Sequence, residues 1–171
     1  MANGIDLTRL RRTIRKSRIV CAPEDVRSEF GRHPAGPVPG KVNVGMRLSI
    51  PAGRDYHAVP LTVWRQALEH YSLGRRPYVE DERDSDDYAK ALWGLVHWDL
   101  GLNAAAYVRD NGSKHAYNIL LAVGGGKLRI HVYDPGWGRW YYPPRAGGSY
   151  PPTDDPHHPM REGLITFGGG W

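Results

Sequence analysis

The 171-residue chain carries 23 Lys and Arg against 18 Asp and Glu, with 21 Gly, 14 Pro and one Cys. The lone Cys21 excludes an internal disulfide framework, and no apolar run approaches the ~20 residues a membrane span needs. Residues 1–18 hold six basic side chains (Arg9, Arg11, Arg12, Arg15, Lys16 and Arg18) and one acid, Asp6; they account for the whole formal net charge of +5, which argues against a body that wraps nucleic acid over its entire surface. Length predicts one domain with a real core.

Residues 1–20 read as a basic arm. Asp6 can cap a short helix, and Leu7, Leu10 and Ile14 share one face of it, with the arginines on the others. Such a face suits a solvated surface, nucleic acid or an acidic partner. Residues 21–59 are rich in Gly and Pro and read as an irregular connection with one short strand over 42–50. Pro60 suits a first helical turn; Leu61, Trp64, Leu68 and Tyr71 then recur at helical spacing, and Gly74 ends the element.

A second helix is predicted from Ser85, with Tyr88, Leu92, Leu95 and Val96 as its apolar face and Asp84, Asp86 and Asp87 at its start, where the helix dipole favours acids. From residue 104 the period becomes that of strands. Residues 104–109, a turn at Asp110-Asn111-Gly112, and residues 115–123 read as a hairpin; Gly124-Gly125-Gly126 turns the chain into a third strand. Residues 136–171 hold 14 Gly or Pro and seven aromatics. They predict an aromatic wrap or tail, with one strand over 164–167. Trp137, Trp140, Tyr141 and Tyr142 are candidate glycan or peptide contacts there.

The expected fold class is therefore α+β: helices packed on an antiparallel meander. The chemistry-bearing types are a hydroxyl, a histidine and a carboxylate. Ser85 lies in the first turn of a helix, where it can also serve as a simple cap. His115 opens one strand and Asp134 closes the next, so a tight turn can make them cross-strand neighbours.

The stretch Tyr78–Ala89 (YVEDERDSDDYA), the Trp93-Gly94 pair, GLNAAAYVRD (101–110), HAYNILL (115–121) and LRIHVYDP (128–135) come in that order. This order resembles the papain-like C-terminal domain of the mushroom agglutinin family and related small phage and bacterial proteins. The resemblance covers roughly residues 60–135, with 136–171 an extension of the same domain. It implies a cysteine-peptidase-like hydrolase fold with the nucleophile at Ser85, the base at His115 and the orienting carboxylate at Asp134. Asn118, Tyr117 and Asp84 would support them.

The family motifs carry Cys where Ser85 stands and Glu where Asp134 stands. A thiol gives a useful thiolate beside a histidine; a hydroxyl needs a tuned base and an oxyanion hole. Three accounts fit a serine: a deliberate Cys-to-Ser replacement, a natural pseudoenzyme that binds a peptide or amide ligand, or an active serine hydrolase. Calcium dependence in the family implies a cation near Asp84, Asp86 and Asp87, although their spacing is not that of a calcium loop. His157 and His158 with Asp154 and Asp155 form a second metal candidate. A binding module for peptide or glycan is the alternative function. The resemblance and the lack of a long apolar stretch after the basic start imply a soluble cytoplasmic or virion-associated protein.

Overall fold

The computed structural model describes residues 6–32, 46–49, 55–71, 84–110, 115–141 and 163–167. The elements in chain order are α1 (Leu7–Ser17), β1 (Ile19–Cys21), α2 (Pro23–Arg32), β2 (Met46–Ser49), β3 (Tyr56–Pro60), α3 (Leu61–Tyr71), α4 (Ser85–Trp98), β4 (Ala105–Asp110), β5 (His115–Gly124), β6 (Lys127–Asp134), β7 (Arg139–Tyr141) and β8 (Gly163–Phe167). The class is α+β. Among the described residues, no helix is long and apolar enough to cross a membrane.

Strand β5 is the hub of the sheet. One of its edges takes β4 in antiparallel register (Asp110↔His115 to Ala105↔Leu120) and then β3 in parallel register at Val59↔Ala122. The other edge takes β6, from Asn118↔Tyr133 to Gly124↔Lys127. The β5–β6 turn needs consecutive left-handed residues, which Gly125 (φ 58°) and Gly126 (φ 72°) provide without steric cost. Outward from β4 lie β8, antiparallel, and β2, parallel to β8. The sheet is thus mixed, whereas the meander alone predicts antiparallel pairing. The parallel β2–β8 pair joins segments more than a hundred residues apart, which local periodicity cannot show.

The expected meander, α3 and α4 all form. Helix α3 buries Val63, Trp64, Ala67 and Leu68, and Trp64 Nε1 donates to Leu121 O at 2.8 Å. Helix α4 buries Tyr88, Ala89, Leu92 and Val96. Residues 21–59 are not simply irregular, because α2, β2 and β3 lie there. Helix α2 has the signals of a start: Pro23 in its first position, Glu24 and Asp25 in its first turn, and Asp25 Oδ2 accepting from Ala22 N at 3.1 Å. It buries Val26 and sets Glu29 against Arg129 of β6 at 3.7 Å. Gly74, the turn at 111–114 and most of the C-terminal wrap lie outside the described residues.

The basic N-terminal segment is part of the core. Asp6 Oδ1 caps α1 by accepting from Thr8 N at 2.9 Å. Leu10 and Ile14 are 1% and 2% exposed, and the helix packs on α3 and β3. Its narrow apolar stripe is enough to seat it because both residues are fully buried. Leu10→Ala should therefore cost about 3 kcal/mol in urea unfolding, while Arg12→Ala on the outer face should change stability by no more than about 0.5 kcal/mol.

On α4, His97 packs edge-on against Trp93 with ring centroids 5.1 Å apart. Burial pushes the His97 pKa from 6.5 down to about 4. Between these values the unfolded chain holds a proton that the folded chain does not, so burying His97 carries no protonation penalty above about pH 6.5 and destabilises the fold increasingly as pH falls towards 4. Unfolding midpoints measured across this range should fall with pH, and His97→Gln should flatten the slope.

Candidate functional site

The site is built at the N-terminus of α4. Asp84 Oδ1 accepts from Asp86 N at 2.8 Å and Asp87 N at 3.2 Å, and Asp87 Oδ2 accepts from Asp84 N. This reciprocal capping box makes Asp84 the cap. Ser85, which could have capped the helix itself, is freed to reach sideways. Its Oγ accepts from Ala116 N of β5 at 3.2 Å, which fastens it one residue from His115.

His115 and Asp134 meet. The β5–β6 ladder pairs Asn118 with Tyr133; one step further, Asp134 stands beside Tyr117 and diagonal to His115. The diagonal is short enough for His115 Nε2 to lie 2.7 Å from Asp134 Oδ2. The other carboxylate oxygen accepts from Gly136 N at 2.9 Å and Trp137 N at 3.2 Å, so the loop after β6 locks Asp134 in place. The carboxylate only accepts, so Nε2 carries the proton and Nδ1 is left as the basic nitrogen. His115 keeps partial access to solvent, and Asp134 is buried. The ring of Tyr117 stacks beside His115 at 6.4 Å.

The structure thus brings Ser85, His115 and Asp134 to one place. Among the described residues the Ser85 hydroxyl bonds to Ala116 N and not to the imidazole. Asn118 is fully buried, and its Nδ2 donates to Ala89 O of α4 at 2.9 Å and Ala106 O of β4 at 3.2 Å. It clamps the helix that carries Ser85 to the sheet that carries His115.

The acids behave as structural partners. Asp86 accepts from Lys90 four residues on and from Tyr107 of β4. Burial acts to raise the Asp86 pKa, but the hydrogen bonds from Lys90 and Tyr107 and the charges of Lys90 and Arg109 prevail and hold it below the usual value. Burial, with the Asp86 carboxylate, pushes the Tyr107 phenol well above its ordinary range. Asp84, Asp86 and Asp87 therefore already have protein partners, and no group of three or more metal-ligating side chains lies together among the described residues. Glu80 to Arg83, and the cluster of Asp154, Asp155, His157 and His158, lie outside them.

Of the predicted aromatic contacts, Trp137 and Trp140 differ sharply. Trp140 is part-buried against Tyr133 and His131, so it covers the sheet. Trp137 is 58% exposed, its amide is held by Asp134, and Arg139 lies over its ring at 5.1 Å. Tyr141 ends β7, and Tyr142 lies outside the described residues. The Lys90–Asp86 pair was readable as an i, i+4 match; the reach of Tyr107 to Asp86 has no local signal.

No protein-family model and no curated protein matches the chain. Several solved structures do, among them the following two. One is the Polyporus squamosus lectin bound to the human-type influenza-binding epitope Neu5Aca2-6Galb1-4GlcNAc, with a TM-score of 0.52 at 17% identity. The other is described as the "PSL1a-E64 complex", with a TM-score of 0.56 at 17% identity. The chain shares its fold with this mushroom lectin. The matches cover 71% and 85% of this chain but only 45% and 50% of the neighbours, so the chain spans about half of their length. At this identity the likeness concerns the fold.

The Asn118 clamp makes a sharp expectation. Asn118→Ala removes both side-chain bonds that join α4 to β4 and leaves a gap at a fully buried position, so it should cost about 3 kcal/mol in denaturant unfolding, whereas Ser85→Ala, which frees one part-buried amide, should cost about 1 kcal/mol.

Proposed function

We propose that the protein is a binding module that holds a peptide or glycan over the Ser85–His115–Asp134 site, on a frame resembling a cysteine peptidase with a hydroxyl at the nucleophile position. The observation that carries this reading is Trp137. This indole is largely exposed, with Arg139 over its ring, and its own amide is held by the carboxylate that orients His115. Rings of this kind stack on sugar faces and pack on extended peptides, while the nearby imidazole supplies polar selectivity. The glycan named for the lectin neighbour lends support to a carbohydrate ligand, although that ligand belongs to a protein about twice as long.

The test is a glycan array and a peptide array probed with the wild-type chain, followed by titration of any ligand found. Trp137→Ala should weaken binding about tenfold or more, at an unchanged melting temperature. Equal binding by wild type and Trp137→Ala overturns the reading.

The His115–Asp134 geometry favours a second reading, residual amide or acyl hydrolysis. Ser85 would attack, His115 Nδ1 would take the proton and return it to the leaving group, a water activated by the same nitrogen would then release the acyl group as an acid and restore the Ser85 hydroxyl, and Asp134 would hold the imidazole in the right tautomer. Ser85→Cys, assayed on a peptide library with and without Ca²⁺, should then cleave, and adding His115→Ala should abolish the cleavage. Failure of both wild type and Ser85→Cys to cleave discards hydrolysis and leaves binding.

A further inference from the structure

We propose that the outward face of α1, together with Trp98, is a docking surface for single-stranded nucleic acid. Helix α1 contains no acid, and Arg9, Arg12, Arg15, Lys16 and Arg18 are exposed, with no ion pair to any described residue. Arg9, Arg12 and Lys16 follow at spacings of three and four, one cation per helical turn of about 5.4 Å. The helix is already seated on the core by Leu10 and Ile14, so these cations sit on a preformed surface.

That seating also selects the partner. An amphipathic helix that binds a membrane inserts its apolar face, and here that face is spent inside the protein. The outward face of the helix itself carries charge; Ile19 and Val20, exposed just after it, lie in β1, and one ring, Trp98, stands at the end of α4. Trp98 is 88% exposed at the end of α4, and the carbonyl of the next residue, Asp99, accepts from Arg11 Nε at 2.6 Å. The end of α4 that carries Trp98 thus lies against the Arg11 flank of the basic helix. Cations that track phosphates beside an aromatic platform on which an unpaired base can stack are the two elements of single-strand binding. A duplex offers no free base face, and an acidic peptide has no need of the indole. Ser85 and Trp98 lie at opposite ends of α4, about 20 Å apart by helical rise, so this surface is separate from the Ser85–His115–Asp134 site.

The experiment uses the full chain and fluorescence anisotropy with a labelled twenty-nucleotide oligothymidylate, over a range of salt. Binding should weaken with salt at a log–log slope of about −2, as expected for three phosphate contacts. The triple change Arg9→Gln, Arg12→Gln and Lys16→Gln should flatten the slope and reduce affinity tenfold or more at low salt. Trp98→Ala should reduce affinity about tenfold and leave the slope unchanged. All four positions are exposed, and melting temperatures check that the variants fold. Three results would overturn the proposal: no binding of the oligonucleotide at low salt, no effect of Trp98→Ala, or equal or tighter binding to a duplex of the same length, polyglutamate or phosphatidylserine vesicles.

Discussion

Asn118 is the residue on which the candidate site depends. A fully buried carboxamide with both donor bonds spent on backbone carbonyls of two different elements, Ala89 of α4 and Ala106 of β4, leaves the helix little freedom to slide or roll on the sheet. Buried polar groups demand their partners far more strictly than apolar contacts demand theirs, because the loss of a partner costs desolvation as well as the bond. Packing of Tyr88, Leu92 and Val96 supplies most of the attraction between α4 and the sheet. The carboxamide supplies the register. With the register set, Asp84 can cap the helix while Ser85 reaches the start of β5, and the His115–Asp134 diagonal follows from the β5–β6 ladder.

Elements whose apolar residues recur at a clean period were legible. Helices α3 and α4 and the β4–β5–β6 meander appear where 3.6-residue and two-residue spacing place them. Composition concealed the rest. Between 21 and 59, many Gly and Pro suggest a loop, yet Ala22-Pro23-Glu24-Asp25 is a helix start by position: a proline where no amide bond is lost, acids where the dipole is positive, and an aspartate reaching back to the chain before it. Charge misled in the opposite sense at α1. Its arginines dominate the composition and suggest an appendage, but two buried residues, Leu10 and Ile14, decide where the helix sits. The parallel pairings of β2 with β8 and β3 with β5 rest on contacts distant in sequence, for which a single chain carries no local sign.

At the site, strand ends were the useful signal, since a tight Gly turn fixes which residues of β5 and β6 can meet. The competition between Ser85 and Asp84 for the cap was not legible, because both residue types cap well. Geometry settles it: one oxygen of Asp84, Oδ1, accepts from the amides of both Asp86 and Asp87, which leaves the serine hydroxyl for β5. The difference between Trp137 and Trp140 was equally hidden. They lie three residues apart in the same aromatic stretch, and only the β6–β7 pairing, with Tyr133 opposite Trp140, shows which ring the sheet claims.

The two ends of α4 give the fold its division of labour. Helix dipoles favour anions at the start and cations at the end. Here the start holds Asp84, Asp86 and Asp87, and the final carbonyls receive Arg11 from α1. These charges stabilise the helix, and they also place unlike surfaces at its two ends. The acidic start is quenched by its own amides, Lys90 and Tyr107, so the ligand features left beside it are the imidazole of His115 and the ring of Trp137. At the other end Arg11 is consumed by the helix terminus, and α1 also carries exposed cations that pair with no described residue. By its own length the helix keeps the two proposed binding surfaces apart, so under those proposals a ligand held at one end need not displace a partner at the other.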